Sequence, residues 1–311
     1  MIVTVTMNPS IDVSYPLTSF KLDTVNRVAK VSKTAGGKGL NVTRVIHELG
    51  GEVIATGVIG GHHGAFIMEQ LDMEGISHRF SPIKEESRNS IAILHEGKQT
   101  EILESGPTVS AAEQSAFLEL FKDLLSGADC LTISGSLAKG FPSDFYQTLL
   151  NLAGQVGVKV LVDTSGESLK QSLLSEQKPY LIKPNAEEIQ ELLGQRVSLG
   201  DLSAFKAALR NELFTGVEWV IVSLGAQGAV VKHQQDIYRV SIPKITAVNP
   251  VGSGDATLAG LAYGISRQDD PETTIKTAMT PGSLNTLEKK TGHINRDNFE
   301  QYFSQIQVEK I

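Results

Sequence analysis

Residues 249–260 read NPVGSGDATLAG, a short loop loosened by glycines at 252 and 254, with one carboxylate, Asp255, at the head of an apolar run. Leu258, Leu261, Ala262 and Ile265 fall at i, i+3, i+4 and i+7, so the spacing predicts a helix that begins at this loop. The first backbone N–H groups of a helix have no partner inside it, and the two glycines remove the Cβ atoms that would keep a ligand away from them. Such a junction is an anion site. Asp255 alone could be a helix cap or a partner for the helix dipole. A cap does not need the glycines, whereas a phosphate held on backbone N–H groups beside a proton acceptor does.

Outward from this junction, short β-branched runs alternate with helical patterns. IVTVT at 2, VIATGVIG at 53, CLTISG at 130, VKVLVD at 158, YLIKPN at 180 and WVIVSLG at 219 read as buried parallel strands. Between them, 38–49 places Val42, Val45, Ile46 and Leu49 on one face, and 143–156 is a second amphipathic segment. The class is α/β. In such sheets ligands gather at the carboxyl ends of the strands, where ISGS, VDTSG, IKPN, VSLGAQG and NPVGSGD all fall. Two stretches, 10–33 and 87–105, break the rhythm by alternating apolar and polar residues without a helical period. They are expected to form antiparallel strands of a small sheet outside the main one, serving as a lid or as a dimer contact. Residues 1–311 are thus read as a single domain carrying a small β lid.

Lys plus Arg number 28 against 35 for Asp plus Glu, and the net charge of −7 argues against a general nucleic-acid or membrane-surface binder. An anionic ligand must therefore meet a local basic cluster. The one cysteine, Cys130, excludes an internal disulfide and a cysteine-based metal cage, and its apolar neighbours make it a buried strand residue. The start, MIVTVTMNPS, has no basic segment followed by a long apolar one, and no stretch approaches 18 uninterrupted apolar residues. The expectation is a soluble protein of the reducing cytoplasm. His62 and His63 are adjacent and lack a carboxylate at ligand spacing, so they read as surface residues beside a turn. Trp219 and the phenylalanines are assigned to the core, and no G-x-S-x-G elbow occurs.

A second glycine cluster, TAGGKGLNVTRV at 34–45, again stands directly before a helix. A tight strand-to-helix turn would explain the glycines equally well. Lys38 adds a cation and Asn41 an amide that donates and accepts, which suits a sugar hydroxyl or a phosphate. Neither common nucleotide motif fits: Ser32 stands where a Walker loop ending at Gly37-Lys38 needs its first glycine, and Thr257 where a dinucleotide fingerprint needs its last.

Together, AGGKGLNVTRV and NPVGSGDATLAG resemble the N- and C-terminal signatures of the PfkB family of carbohydrate kinases, and the likeness covers nearly the whole chain. MNPSIDVSYPL, VNRV, IAILHEG, TEILE and VSLGAQGA are similar to the branches that phosphorylate a ketohexose phosphate. The resemblance implies a ribokinase-like fold, a three-layer α/β sandwich with a mostly parallel central sheet and a small β-sheet lid. It implies ATP and Mg2+ as cofactors, a sugar phosphate as acceptor and a homodimer formed through the lid.

The same resemblance implies roles for individual residues. Asp255 matches the catalytic base, with Gly252, Ser253 and Gly254 as the anion hole. Asp12, Gly37, Lys38 and Asn41 match the sugar-phosphate side, with Arg27 and Arg88 reaching the acceptor phosphate from the two lid stretches. Ser136 in GSLAKG is a further contact, although Ala138 stands where the family often has proline. Lys183 and Asn185 of KPNAEE lie near the nucleotide phosphates, and Glu188 of Asn185-x-x-Glu188 serves magnesium through water. Ser223, Gly225 and Gly228 match the nucleotide loop, while Asn285, in the loosely matching TPGSLNTLEKKTG, stands beside the adenine. An aspartate with an ordinary pKa of about 3.9 would suffice as base, since the attacking hydroxyl loses its proton late. A sugar-phosphate sensor without turnover is the alternative from another class, and Asp255 argues against it because binding alone gains nothing from a carboxylate beside an anion hole.

Overall fold

Along each central strand successive side chains face opposite ways, and this period-two pattern builds two cores on the two faces of one sheet. Val3, Val5, Leu131, Ile133, Val160, Val162, Val220 and Val222 enter one core. Ile2, Cys130, Leu161, Trp219 and Ile221, their immediate neighbours in sequence, enter the other.

In the computed structural model, residues 1–195 and 202–311 are described. The strands are β1 (Ile2–Thr6), β2 (Ser10–Leu17), β3 (Ser32–Gly36), β4 (Val53–Gly60), β5 (Ser77–Ile83), β6 (Arg88–His95), β7 (Lys98–Leu103), β8 (Cys130–Ser134), β9 (Lys159–Asp163), β10 (Leu181–Ile182), β11 (Trp219–Ser223), β12 (Ala229–His233), β13 (Asp236–Ser241) and β14 (Gln307–Lys310). The helices are α1 (Lys38–Glu48), α2 (Gly61–Met73), α3 (Ala111–Leu125), α4 (Phe145–Gln155), α5 (Gly166–Leu174), α6 (Ala186–Leu193), α7 (Leu202–Leu209), α8 (Ser253–Ser266), α9 (Pro271–Asn285) and α10 (Phe299–Phe303). Among the described residues the main sheet runs β14-β13-β12-β11-β10-β9-β8-β1-β4-β5. It is parallel from β5 to β11, and β12, β13 and β14 close one edge in antiparallel pairing.

The first core packs α3, α4, α5, α6 and α7 on one face of the sheet, and the second packs α1, α8 and α9 on the other. This is the expected three-layer sandwich. The six strands expected from sequence are present, but the run at 180 pairs only through Leu181 and Ile182. The Lys183 N–H still donates to the Val162 carbonyl of β9 at 3.3 Å, and the pairing with β9 stops at Pro184, which has no N–H to continue it. Cys130 and Trp219 are buried as expected, and His62 and His63 fall in the first turn of α2, where His63 Nδ1 donates to the Ser87 carbonyl at 2.7 Å. No helix among the described residues is long and apolar enough to cross a membrane.

The lid is a second sheet, ordered β3-β2-β6-β7. Its hairpin pairs β2–β3 and β6–β7 are antiparallel, but the central pair β2–β6 is parallel, from Ser10 opposite Arg88 to Leu17 opposite His95. The expectation of a purely antiparallel lid is therefore corrected. Both strands leave the body with Ser10 and Arg88 at the same level, so they run outward side by side in one direction. The expected strand character of 10–33 also fails at 18–31, which is an irregular connection with Leu22 and Val25 exposed. Ile11, Val13 and Ala35 at the lid's base share a small core with Leu40, Ile59, Ile67 and Leu71, which seats the lid on α1, β4 and α2.

Candidate active site

The loop-to-helix junction of 249–260 forms as its composition requires. Gly252 is the N-cap of α8 in a left-handed conformation, φ 85°, where a Cβ would stand 2.6 Å from Thr291 Cγ2. Asp255 lies in the first turn of α8, yet no side chain caps this helix. Instead Asp255 Oδ2 accepts from Asn41 Nδ2 at 2.9 Å, across to α1. The carboxylate is thus used between helices and is not a cap. A Cβ on Gly254 would approach Lys183 Nζ to 3.2 Å, so this glycine admits an ammonium beside the first turn of α8, where the Ser253 N–H already donates to the Pro250 carbonyl at 3.3 Å.

Two lysines converge on an acid that the sequence reading did not single out. Asp163, with its side chain 2% exposed at the end of β9, lies 3.2 Å from Lys183 Nζ and 3.8 Å from Lys38 Nζ. Its sequence signal was one acid closing an apolar strand in VDTSG. Lys38 is held firmly protonated: Asp163 raises its pKa most, burial opposes this, and Asp255 and Glu188 add to the rise. One ammonium therefore feels three carboxylates, from β9, α8 and α6. Burial pushes the pKa of Asp255 up to about 7, and the negative charge of Asp163 adds to the effect. Lys38, the Asn41 hydrogen bond and Lys183 pull the other way. The expectation of an ordinary carboxylate is corrected, because loss of water outweighs the two cations.

On the expected sugar side, Asp12 accepts from Ser10 Oγ at 2.7 Å, and burial raises its pKa against the influence of Ser10, Arg88 and Arg44. A Cβ on Gly36 would collide with the Asp12 carboxyl, so the bare backbone there makes room for it. Gly37 is the N-cap of α1 at φ 99°, which brings Lys38 and Asn41 into the first turn. Arg88, at the start of β6, donates through Nε to the Asn8 carbonyl at 3.2 Å and through Nη1 to the Glu104 carbonyl at 3.5 Å. Burial lowers its pKa while Asp12 opposes the shift. Arg27 is exposed on the 18–31 connection and has no hydrogen bond or ion pair among the described residues, so it is not gathered with Arg88, Asp12 and Asn41. Ser136 is exposed beyond β8, and its Oγ accepts from Asn8 Nδ2 at 3.5 Å.

On the expected nucleotide side, Asn185 and Glu188 form a capping box. Asn185 Oδ1 accepts from the N–H groups of Glu187 and Glu188 at 2.8 and 2.9 Å, and Glu188 Oε2 accepts from Asn185 N at 2.8 Å. The second oxygen of Glu188 carries none of these bonds. Ser223 bridges to Asn185, and the turn after it needs Gly228, where a Cβ would stand 2.0 Å from the Val240 carbonyl oxygen. Gly225 in the same turn is left-handed with nothing near its Cβ position. Asn285 is fully buried: its Nδ2 donates to the Val251 carbonyl and its Oδ1 accepts from Gly292 N, each at 2.9 Å. It ties the 286–292 segment to the anion-hole loop.

The family profile described as pfkB family carbohydrate kinase matches residues 5–298. A Staphylococcus epidermidis protein named Tagatose-6-phosphate kinase is 50% identical over 308 residues, 99% of each chain. The crystal structure of Escherichia coli phosphofructokinase-2 in complex with potassium is similar, with a TM-score of 0.91 and 26% identity, over 97% of this chain and 98% of that one. A Thermotoga maritima structure described as a possible 1-phosphofructokinase has a TM-score of 0.87 and 26% identity, over 100% of this chain and 99% of that one.

Proposed function

The chain belongs to the pfkB family of carbohydrate kinases and has its ribokinase-like fold, and from that premise we propose that it transfers the γ-phosphoryl group of ATP to D-tagatose 6-phosphate, giving the 1,6-bisphosphate and ADP. The chain-long likeness to the staphylococcal protein carries the choice of sugar. The reaction belongs to lactose and galactose catabolism in the cytoplasm, and the enzyme acts as a homodimer joined through its lids.

In this reading the acceptor hydroxyl lies against Asp255, its oxygen attacks the γ-phosphorus, and its proton passes to the Asp255 carboxylate as ADP leaves. The N–H groups of Gly252, Ser253 and Gly254 hold the transferring oxygens. Lys38 and Lys183, kept in place by Asp163, supply the fixed positive charge that phosphoryl transfer needs in place of covalent chemistry. Asp12 and Asn41 orient the sugar and Arg88 meets its 6-phosphate, which Arg27 joins only if the exposed 18–31 connection folds over the acceptor. Ser136 is a further sugar-side contact. Asn185, Ser223, Gly225, Gly228 and Asn285 line the nucleotide side. Glu188, one of whose carboxylate oxygens takes no part in the capping box, would help to hold magnesium with the nucleotide. When bound, the ion neutralises charge on the β- and γ-phosphates.

The second reading, phosphorylation of fructose 1-phosphate at its other end, is favoured by the likeness to the Thermotoga maritima structure. A sensor without turnover would not need a buried carboxylate at the anion hole. A coupled assay of ADP release over a panel of ketose phosphates tests the assignment. The expected result is the highest kcat/KM with tagatose 6-phosphate and weaker turnover of its epimer fructose 6-phosphate. Preference for fructose 1-phosphate would replace the first reading with the second.

A further inference from the structure

The Asn41 amide can present either its NH2 group or its oxygen to Asp255, and only one orientation supports a base. The NH2 group donates to a carboxylate, whereas the oxygen would repel the ionised form and suit only the protonated acid. What settles the orientation lies one turn further along α1. Arg44, whose side chain is 2% exposed, spreads its guanidinium over three acceptors. Its Nε donates to Glu74 Oε2 at 3.0 Å, its Nη2 to the Ala35 carbonyl at 2.7 Å and its Nη1 to Asn41 Oδ1 at 3.4 Å. A guanidinium has donors only and stays charged at every working pH. The Asn41 atom facing it must be the oxygen, which leaves Nδ2 for Asp255 Oδ2. Burying such a charge is costly unless it is paired and its donors matched, and here three of its five N–H donors find acceptors on α1, β3 and the end of α2.

We propose that Arg44 is a positioning residue for the phosphoryl transfer: the chain Glu74–Arg44–Asn41–Asp255 locks the Asn41 amide so that it always donates to the base. The proposal rests on the reading of Asp255 as that base. Asp255 is also faced by Asp163 from β9, by Lys38 from α1 and by Lys183 after β10. Arg44 in turn is felt by Asp12 on β2. Its fixed charge therefore acts on the acid expected to meet the sugar, and through Asn41 it is linked to the acid expected to take the proton. Through Ala35 the same side chain is tied to the lid strand β3, so the seating of the lid and the setting of the base share one residue.

The test follows the Asp255 carboxyl directly, by 13C NMR titration of the unliganded protein labelled at aspartate, with its signal assigned from its loss in Asp255→Asn. Arg44→Lys keeps the charge and loses the fork, so the Asp255 midpoint should rise by about one pH unit as its donor is freed to turn. At neutral pH kcat should fall about fivefold, as the ionised fraction of a group near 7 drops when its midpoint rises by one unit, and return toward wild type near pH 9, which misfolding would not produce. In an Asn41→Ala background the same Arg44→Lys change should leave the midpoint where it was. An equal shift in both backgrounds, or an unchanged midpoint in the single variant, overturns the relay. Should Arg44→Lys not fold, Glu74→Gln at the solvent edge of the chain carries the test. It should move the midpoint the same way by less, and no movement counts against the proposal. Near-normal kcat in Asp255→Asn would instead sink the base assignment while leaving the titration result standing, so the two failures are distinguishable.

Discussion

Asp255 occupies a place where the proposed chemistry needs its charge and its surroundings disfavour it. Replacement by Asn keeps the shape and removes the proton acceptor. General bases contribute about a hundred- to ten-thousandfold in rate, roughly 3 to 5 kcal/mol of barrier, so kcat should fall by that order with both ligands still bound. The same variant reports on burial. The folded protein holds this carboxyl at about 7, above its ordinary 3.8, so the folded state grips the proton more tightly than the unfolded one. Its contribution to stability is complete below the unfolded value and is lost as pH rises through about 7. Asn does not ionise. The Tm of Asp255→Asn relative to wild type should therefore climb from pH 4 and level off above about pH 7, and a constant difference across that range would remove burial as the cause.

At the scale of elements, the Asn185–Glu188 pair forms a capping box and has a proposed part in holding magnesium, and a single substitution separates the two. Glu188→Gln retains an oxygen to accept from Asn185 N, so the capping box and Tm should survive, while the magnesium concentration for half-maximal rate rises. A drop in Tm with unchanged magnesium dependence would assign Glu188 to the cap alone. The crossing of α8 and α9 supports the helix whose first turn forms the proposed anion hole. A Cβ on Gly260 would meet the Thr277 carbonyl oxygen at 2.3 Å and Ala278 Cα at 2.7 Å, whereas one on Gly264 would find Thr274 Cα at 3.3 Å. Gly260→Ala should thus cost about 1 to 3 kcal/mol and lower Tm by several degrees, with kcat reduced as the helices part. Gly264→Ala should cost less. Equal melting of the two variants would show that the crossing is softer than its geometry implies.

At the scale of the whole molecule, the lid brings Arg88 toward the site and carries exposed apolar side chains, with Leu22 at 83% and Leu103 at 60%. A charged hydrogen bond is worth roughly 1.5 to 3 kcal/mol, so Arg88→Ala should raise KM for the sugar phosphate about ten- to a hundredfold and leave that for ATP unchanged. A changed ATP KM alone would move Arg88 to the nucleotide side. Sedimentation at micromolar concentration should give a dimer, and a monomer would leave the lid's apolar residues without their proposed partner. The sequence by itself determined the layers, because helix and strand periods are local: α1, α4, α8 and the six parallel strands follow from spacing within each segment, and the two glycine loops follow from backbone freedom. Composition also showed where polar strand ends gather. Tertiary structure alone decided the rest. The parallel β2–β6 pairing depends on how two distant excursions leave the body. Asp163 acquires its meaning only when Lys38 and Lys183 meet on it, and Arg44 only when Asn41 stands between it and Asp255, 214 residues along the chain from Asn41. The carboxyl at about 7 is the clearest case, since desolvation sums over everything packed around a group and no neighbouring letter in the chain records it.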